Sequence, residues 1–211
     1  MFKPLRIKVC GMRDRDNIRE LCMLLPDFIG FIFYPGSARY VGENPDPDIF
    51  RIPATNIGKV GVFVDEDLDN LCFLFEKYHL DLVQLHGSET PEYCFQLFER
   101  GIPIIKTHIP TGDNFSAQIN NYMEQVKYIL FDTPSETYGG SGRKFNWDLT
   151  CNYSTPLPFF LSGGIGPDDV ELIKGIQHDW FYAVDINSRF EKTPGIKEVG
   201  LIKRFIETLR R

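Results

Sequence analysis

Short, nearly continuous apolar runs bounded by turn residues recur along the chain: Arg6 to Cys10, Phe28 to Phe33, Lys59 to Val64, Leu82 to His86, Ile102 to His108, Tyr128 to Asp132, Phe159 to Ser162 and Phe181 to Ile186. Each has the length of a strand, and unbroken apolar character is what a strand buried on both faces displays. Between many of them apolar residues return every three or four positions, as in Asp16 to Cys22 and Asp67 to Phe75, which predicts amphipathic helices. Alternating strand and helix implies parallel pairing. Eight such units in 211 residues match a compact (β/α)8 barrel, the TIM-barrel form of the α/β class, better than an open doubly wound sheet. The fifth unit is the least regular, since the polar stretch Pro110 to Asn121 predicts either a loop or a short helix. Asn44-Pro45-Asp46-Pro47-Asp48 reads as one exposed turn. With no interdomain linker or low-complexity tract, the expectation is a single domain over 1–211.

Side chains alternate along a strand, so Lys8 and Cys10 share one face and Ile7 and Val9 the other. The polar pair is expected to point into the barrel. The same rule groups Gln84 with His86 on the fourth strand, and Ala183 with Asp185 and Asn187 on the eighth, leaving Val184 and Ile186 for the helical layer. In a closed parallel barrel the carboxyl ends of different strands converge on one mouth, where the active site lies. Cys10 closes the first run and Asp132 the sixth, so a thiol and a carboxylate occupy equivalent positions suited to general acid/base work. Both residue types have other uses: a free cysteine is commonly a small buried hydrophobe, and an aspartate after a strand commonly forms a turn. Lys8 favours the catalytic use of Cys10, because a nearby ammonium stabilises the anion of a thiol that ordinarily titrates near ~8.5.

Leu161-Ser162-Gly163-Gly164-Ile165-Gly166 followed by Pro167-Asp168-Asp169-Val170 predicts a strand, a glycine turn and a helix start, which lets backbone amides approach an anion. The eighth strand runs into Asp185-Ile186-Asn187-Ser188-Arg189. The seventh and eighth loops of such barrels frequently build a phosphate site. Pro134 and Gly139-Gly140-Ser141-Gly142 make a connection suited to covering a substrate, or simply to facing solvent, and lack nucleotide-loop spacing. Arg39, after the second strand, is either a solvated arginine or a bidentate anchor for a carboxylate.

A formal net charge of -6 argues against nucleic acid as a partner, because phosphate backbones are held by clustered Lys and Arg. It leaves a small phosphate ester open. The five cysteines, Cys10, Cys22, Cys72, Cys94 and Cys151, lack paired spacing, which fits a reducing compartment; Cys22, Cys72 and Cys94 fall in helical patterns and read as packing residues. His79, His108 and His178 show no ligand spacing, so no metal is expected. No apolar stretch is long enough to span a bilayer, and none precedes the first strand. The expectation is a soluble, cytoplasmic protein with no membrane partner.

The chain resembles the phosphoribosylanthranilate isomerase family of tryptophan biosynthesis over nearly its whole length. The resemblance rests on Lys8-Val9-Cys10-Gly11, Gly30-Phe31-Ile32-Phe33-Tyr34-Pro35, Ser37-Ala38-Arg39-Tyr40, Val60-Gly61-Val62-Phe63-Val64, Gln84-Leu85-His86-Gly87, Gly139-Gly140-Ser141-Gly142, Ser162-Gly163-Gly164 and Val184-Asp185, in family order. It implies an Amadori rearrangement of N-(5-phosphoribosyl)anthranilate, without a cofactor, with Cys10 matching the general base and Asp132 the general acid. It further implies that Arg39 binds the anthranilate carboxylate and that Gly163, Gly164, Asn187 and Ser188 surround the phosphate. His86, Asp185 and the Gly140-Ser141-Gly142 loop are expected to contact the same phosphorylated small molecule, in a monomer or homodimer. Rival readings are an isomerase of another phosphorylated sugar and a catalytically silent barrel that binds a phosphorylated metabolite.

Two stretches depart from the family pattern. A common Ser-Ser-Gly-Val-Glu becomes Asn187-Ser188-Arg189-Phe190-Glu191. If the lost glycine needs positive φ, Arg189 costs stability; alternatively Arg189 reaches the phosphate. Gly142-Arg143-Lys144-Phe145-Asn146-Trp147 replaces the usual Gly-Lys-Thr-Phe-Asp-Trp.

Overall fold

The computed structural model describes residues 5–110, 115–133, 147, 150, 153–154 and 156–211. Eight parallel strands close in sequence order: β1 (Arg6–Val9), β2 (Phe28–Ile32), β3 (Gly58–Phe63), β4 (Leu82–Leu85), β5 (Ile104–His108), β6 (Tyr128–Phe131), β7 (Phe159–Leu161) and β8 (Phe181–Ile186). Closure is made by β8 against β1, with Arg6 opposite Ala183 and Val9 opposite Ile186. The predicted barrel is thus the observed one. Cys10 and Asp132 each stand one residue past their strand.

The helices are α1 (Arg15–Cys22), α2 (Leu68–Lys77), α3 (Pro91–Glu99), α4 (Phe115–Asn120), α5 (Val170–Gly175) and α6 (Val199–Leu209). In the polar fifth unit, the short helix α4 is the outcome. After β2 a 3-10 turn, Pro47–Phe50, takes the place of a helix, with Asp46 as its cap. The expected exposed turn at Asn44 to Asp48 is partly wrong, because Pro45 is buried. Helix starts on the mouth side are fixed by side-chain caps: Asp14 accepts from Asn17 N, Asp67 from Asp69 N and Asn70 N, and Thr90 from Tyr93 N. Each cap satisfies amides that the first helical turn leaves open, which anchors the loop before it.

Alternation sorts the strand residues into two layers. Ile7, Val9, Phe31, Leu85, Phe131, Val184 and Ile186 join the helices in the outer core. Phe28, Val60, Leu82, Ile105, Tyr128, Leu130, Phe160 and Ala183 fill the barrel interior. Aromatic rings dominate that plug: Phe28 and Phe160 have centroids 5.5 Å apart, and Tyr128 and Tyr182 stack at 4.8 Å. Burying such a ring stabilises by roughly 1.5–3 kcal/mol. The apolar plug seals the amino-terminal end, so polar inward positions are left to the carboxyl-terminal end. Above it Cys10, Ile32 and Val62 form a small separate cluster.

One feature is not foreseen by the strand pattern. An antiparallel hairpin, β9 (Glu191–Thr193) with β10 (Ile196–Lys197), follows β8 and lies outside the barrel sheet. It is short and polar, and its function is positional.

Candidate active site

A cavity of about 430 Å³ opens at the carboxyl ends of the strands. Cys10, His86, Asp132 and Asp185 line it, as do Gly163, Gly164, Asn187 and Ser188. The structure therefore brings together the thiol, the carboxylate and the two loops that the sequence singles out. Gly140, Ser141 and Gly142, with the Pro134 connection, lie outside the described residues, as does the variant 143–146 stretch; of that motif only Trp147 is described, and it is buried.

Cys10 is 5% exposed, with its backbone N–H donated to Ile186 O at 2.9 Å. Gly30 on β2 makes room for it: a Cβ there would stand 2.8 Å from the sulfur. Burial pushes the Cys10 thiol above its ordinary value, while Lys8 and Lys197 pull the other way and Asp185 pushes it further up. Lys8 thus pulls in the direction the sequence predicts, and burial outweighs it. The Lys8 ammonium also donates to Asp185 Oδ2 at 2.7 Å and Gln84 Oε1 at 2.8 Å. Burial opposes the charge on Lys8, but Asp185 and Cys10 outweigh it and raise its pKa. Asp185 is itself pushed up by burial, against the pull of Lys8. Its Oδ1 is buried without a hydrogen-bond partner among the described residues, which leaves an acceptor for a ligand hydroxyl.

Asp132 serves two uses at once. Its Oδ1 accepts from the N–H of Thr133 at 2.8 Å and shapes the turn, while Oδ2 lies 3.3 Å from His86 Nε2. Gly163 packs against this turn with φ +87; a Cβ there would come 2.2 Å from Thr133 Oγ1. Only glycine fits. Gly164 is also left-handed, at φ +69, and the turn ends where Gly166 N–H donates to Asp169 Oδ2 at 2.6 Å. Two successive left-handed glycines form a concave backbone that suits an anion.

Arg39 is not among the residues that line the cavity, although Ser37 and Asn187 are. Its guanidinium grips Glu191, Nε at 3.0 and 3.1 Å from the two oxygens and Nη2 at 2.7 Å. Lys197 donates to Glu191 Oε1 at 2.7 Å and to Asn187 Oδ1 at 2.6 Å. Burial works to raise Glu191, yet Arg39 and Lys197 outweigh it and hold the carboxyl below its usual range. Burial lowers Lys197 to about 8 despite Glu191. The hairpin therefore ties Arg39 to the β8 loop through a buried ion network. Glu191 escapes sequence reasoning because its partner Arg39 lies 152 residues away, and Lys197 is read only through Glu191.

Arg189 is exposed and is absent from the residues with positive φ, so replacing the family's glycine incurs no left-handed strain. The buried pair of Lys106 and Glu89, 2.8 Å apart, is a further unforeseen element; Glu89 also accepts from the N–H groups of Asp65 and Gly87 and so holds the loops after β3 and β4. Among the described residues no group of three His, Cys, Asp or Glu side chains could hold a metal. None of the described helices is long and apolar enough to cross a membrane.

The family model described as N-(5'phosphoribosyl)anthranilate (PRA) isomerase matches residues 7–208. An N-(5'-phosphoribosyl)anthranilate isomerase of Parabacteroides distasonis is 42% identical, over 96% of this chain and 92% of the relative. That of Thermotoga neapolitana is 34% identical over 96% and 97%. Among solved structures, the phosphoribosyl anthranilate isomerase of Thermotoga maritima superposes with a TM-score of 0.83 at 33% identity, covering 97% of this chain and 98% of that one. A phosphoribosyl anthranilate isomerase in complex with reduced 1-(o-carboxyphenylamino)-1-deoxyribulose 5-phosphate superposes at 0.80 with 31% identity and the same coverage. A match that runs from the first strand into the last helix, on a barrel whose mouth gathers a thiol, a carboxylate and two glycine-shaped loops, places the chain in the N-(5'-phosphoribosyl)anthranilate isomerase family.

Proposed function

We propose that the protein catalyses the Amadori rearrangement of N-(5-phosphoribosyl)anthranilate to 1-(2-carboxyphenylamino)-1-deoxyribulose 5-phosphate in tryptophan biosynthesis. The observation that carries this reading is that Cys10 and Asp132 line one cavity whose other wall is the paired turn Gly163, Gly164 and Asn187, Ser188. Asp132 donates its proton to the ribose ring oxygen, the C1–O bond breaks, and the anthranilate nitrogen forms a protonated Schiff base. The Cys10 thiolate then removes the C2 proton, and the electron pair moves into the C2–C1 bond to give an enolamine. Tautomerisation delivers the ketone. Each step moves one proton, and no cofactor enters.

The phosphate sits on the backbone of Gly163, Gly164, Asn187 and Ser188, and Asp185 Oδ1 accepts a substrate hydroxyl. His86 contacts the reacting end through Asp132. Glu191 occupies the Nε/Nη2 edge of Arg39, and Nη1 has no partner among the described residues, so the carboxylate would be met on that outer side. Gly140, Ser141 and Gly142, outside the described residues, stay proposed ligand contacts. A retained acid and base disfavour both the silent barrel and an isomerase of another sugar phosphate. We further infer one domain over the chain, a cytoplasmic location, and a monomer or homodimer; a Thermotoga maritima relative is described as a dimer from which monomers were generated.

The test generates the substrate in situ from anthranilate and phosphoribosyl pyrophosphate with a separate transferase and follows the product. Wild-type protein is expected to turn over, and Cys10→Ala to lose about 10²–10⁴-fold or more. No turnover by folded protein with substrate present would overturn the reading.

A further inference from the structure

A run of polar contacts crosses the barrel mouth, hydrogen bonds from Lys8 through Gln84 to His86 and then a 3.3 Å approach of His86 to Asp132, and the acid/base scheme alone gives it no role. It begins at the fully buried Lys8 Nζ, which donates to Gln84 Oε1 at 2.8 Å. An ammonium has donors only, so the amide oxygen of Gln84 must face Lys8 and the amide nitrogen must face the other way. That nitrogen stands 3.1 Å from His86 Nδ1 and a longer 3.5 Å from Thr107 Oγ1, so the ring nitrogen is its nearer partner. Because an amide nitrogen only donates, Nδ1 must be the bare, accepting nitrogen of the neutral ring. Thr107 Oγ1, 3.2 Å from the same atom, can turn its hydroxyl to donate as well. The ring proton then resides on Nε2, and Nε2 is the atom 3.3 Å from Asp132 Oδ2. Donor and acceptor chemistry thus assigns the tautomer without sight of a hydrogen.

We propose that Lys8 and Gln84 lock His86 in its Nε2–H form, so that His86 is a positioning residue that donates to the Asp132 carboxylate as Asp132 gives up its proton. The proposal rests on the reading of Asp132 as the general acid. Negative charge appears on Asp132 in the ring-opening step, and a preoriented donor at that oxygen stabilises it. The opposite tautomer would set a nitrogen lone pair against Oδ2 and repel the same charge. Thr133 N–H already holds Oδ1, so the two donors together fix the carboxyl plane across the cavity. The chain starts at an ammonium whose charge also acts on Cys10, which couples the settings of acid and base. A merely structural reading, in which Gln84 and His86 only satisfy buried Lys8, gives the same tautomer but makes no demand on kcat.

The experiment is nitrogen NMR of protein carrying 15N-labelled histidine, with the His86 signals assigned by their loss in His86→Gln, combined with kcat and KM in the coupled assay. The wild-type ring is expected to show a bare Nδ1 and a protonated Nε2. Gln84→Glu replaces the donating amide by an acceptor, so Nδ1 should become protonated, and kcat should fall about 10–10²-fold with KM changed less than about threefold, a part of the 10²–10³ that a full oxyanion donor is worth. His86→Gln, whose amide can donate towards Asp132, should retain more kcat than His86→Leu. Gln84→Leu, which adds no charge beside Lys8, serves if Gln84→Glu does not fold, and should release the ring into mixed tautomers with a smaller loss of kcat. A wild-type ring protonated on Nδ1 overturns the lock. A switched ring with wild-type kcat overturns its catalytic consequence. Absence of turnover in the wild-type protein would overturn the isomerase reading and the role of Asp132, while the ring signals would still decide the lock.

Discussion

Replacing Glu191 by Gln removes the anion that sits between two buried cations. The side chains of Arg39, Glu191 and Lys197 are 10%, 4% and 0% exposed, so water cannot take over the lost interactions. Glu191 receives Arg39 Nε and Nη2, Lys197 Nζ and the N–H of Gly195. An amide keeps one accepting oxygen but turns an N–H2 towards a cation. Breaking a buried pair by removing one partner costs about 3–5 kcal/mol, because the charge left behind stays desolvated. For a chain of this length each kcal/mol lowers Tm by about 2–4 °C, so the expected fall is about 6–20 °C. Circular dichroism melts at pH 7, with urea titrations to check that unfolding stays cooperative, provide the measurement. A cycle with Lys197→Met tests the assignment, since the cost of Glu191→Gln should shrink when only Arg39 remains to be stranded. A loss below about 1 kcal/mol, or strictly additive effects, would refute the reasoning.

Burial pushes the Cys10 thiol up, so kcat/KM should climb with pH as the thiolate forms, about tenfold per unit below the thiol pKa; a flat profile between pH 6 and 8 contradicts this. Gly163→Ala forces a side chain into φ +87 and towards Thr133 Oγ1 at 2.2 Å, so it should lose about 1–3 kcal/mol in urea unfolding and weaken inhibition by inorganic phosphate, and unchanged values would show that the turn yields. Lys197 binds its proton less tightly folded, at about 8, than its ordinary 10.5. Its contribution to stability is therefore lost as pH falls through about 8 and grows towards 10.5, and the difference between wild type and Lys197→Met should rise by about 3 kcal/mol over that window in pH-dependent unfolding. A difference independent of pH would contradict the depressed value.

The barrel is legible in the sequence for a physical reason: parallel strands covered on both faces must be apolar throughout, so β6, Tyr128–Phe131, and β7, Phe159–Leu161, announce themselves without alternation. Exceptions to apolarity on the inner face then mark the mouth, as Lys8, Gln84 and Asp185 do. What the pattern does not carry is pairing. That Lys8 is inward follows from parity, but its engagement by Asp185, 177 residues away, rather than by Cys10 alone depends on the register of β8 against β1. The hairpin β9–β10 has too few residues for a period, and its purpose appears only when Glu191 meets Arg39. The state of His86 is a further step removed, since it depends on the direction of one amide.

The buried thiol sets an order on the proposed reaction. A base raised by desolvation is a poor base in the free protein, because its anion would have to form beside Ile32 and Val62 with Lys8 already bound to Asp185. A cation arriving in the cavity changes that balance, since opposite charge at close range favours the anion. The protonated Schiff base supplies such a cation, and it exists only after Asp132 has opened the ring. Proton donation by Asp132 thus precedes and assists loss of the Cys10 proton to solvent, so the acid step generates the charge that the base step requires. On this account Asp132→Asn should also suppress alkylation of Cys10 that is dependent on substrate, measured with a small thiol reagent at neutral pH. Enhanced alkylation by substrate in Asp132→Asn equal to that in wild type would separate the two steps and remove the ordering.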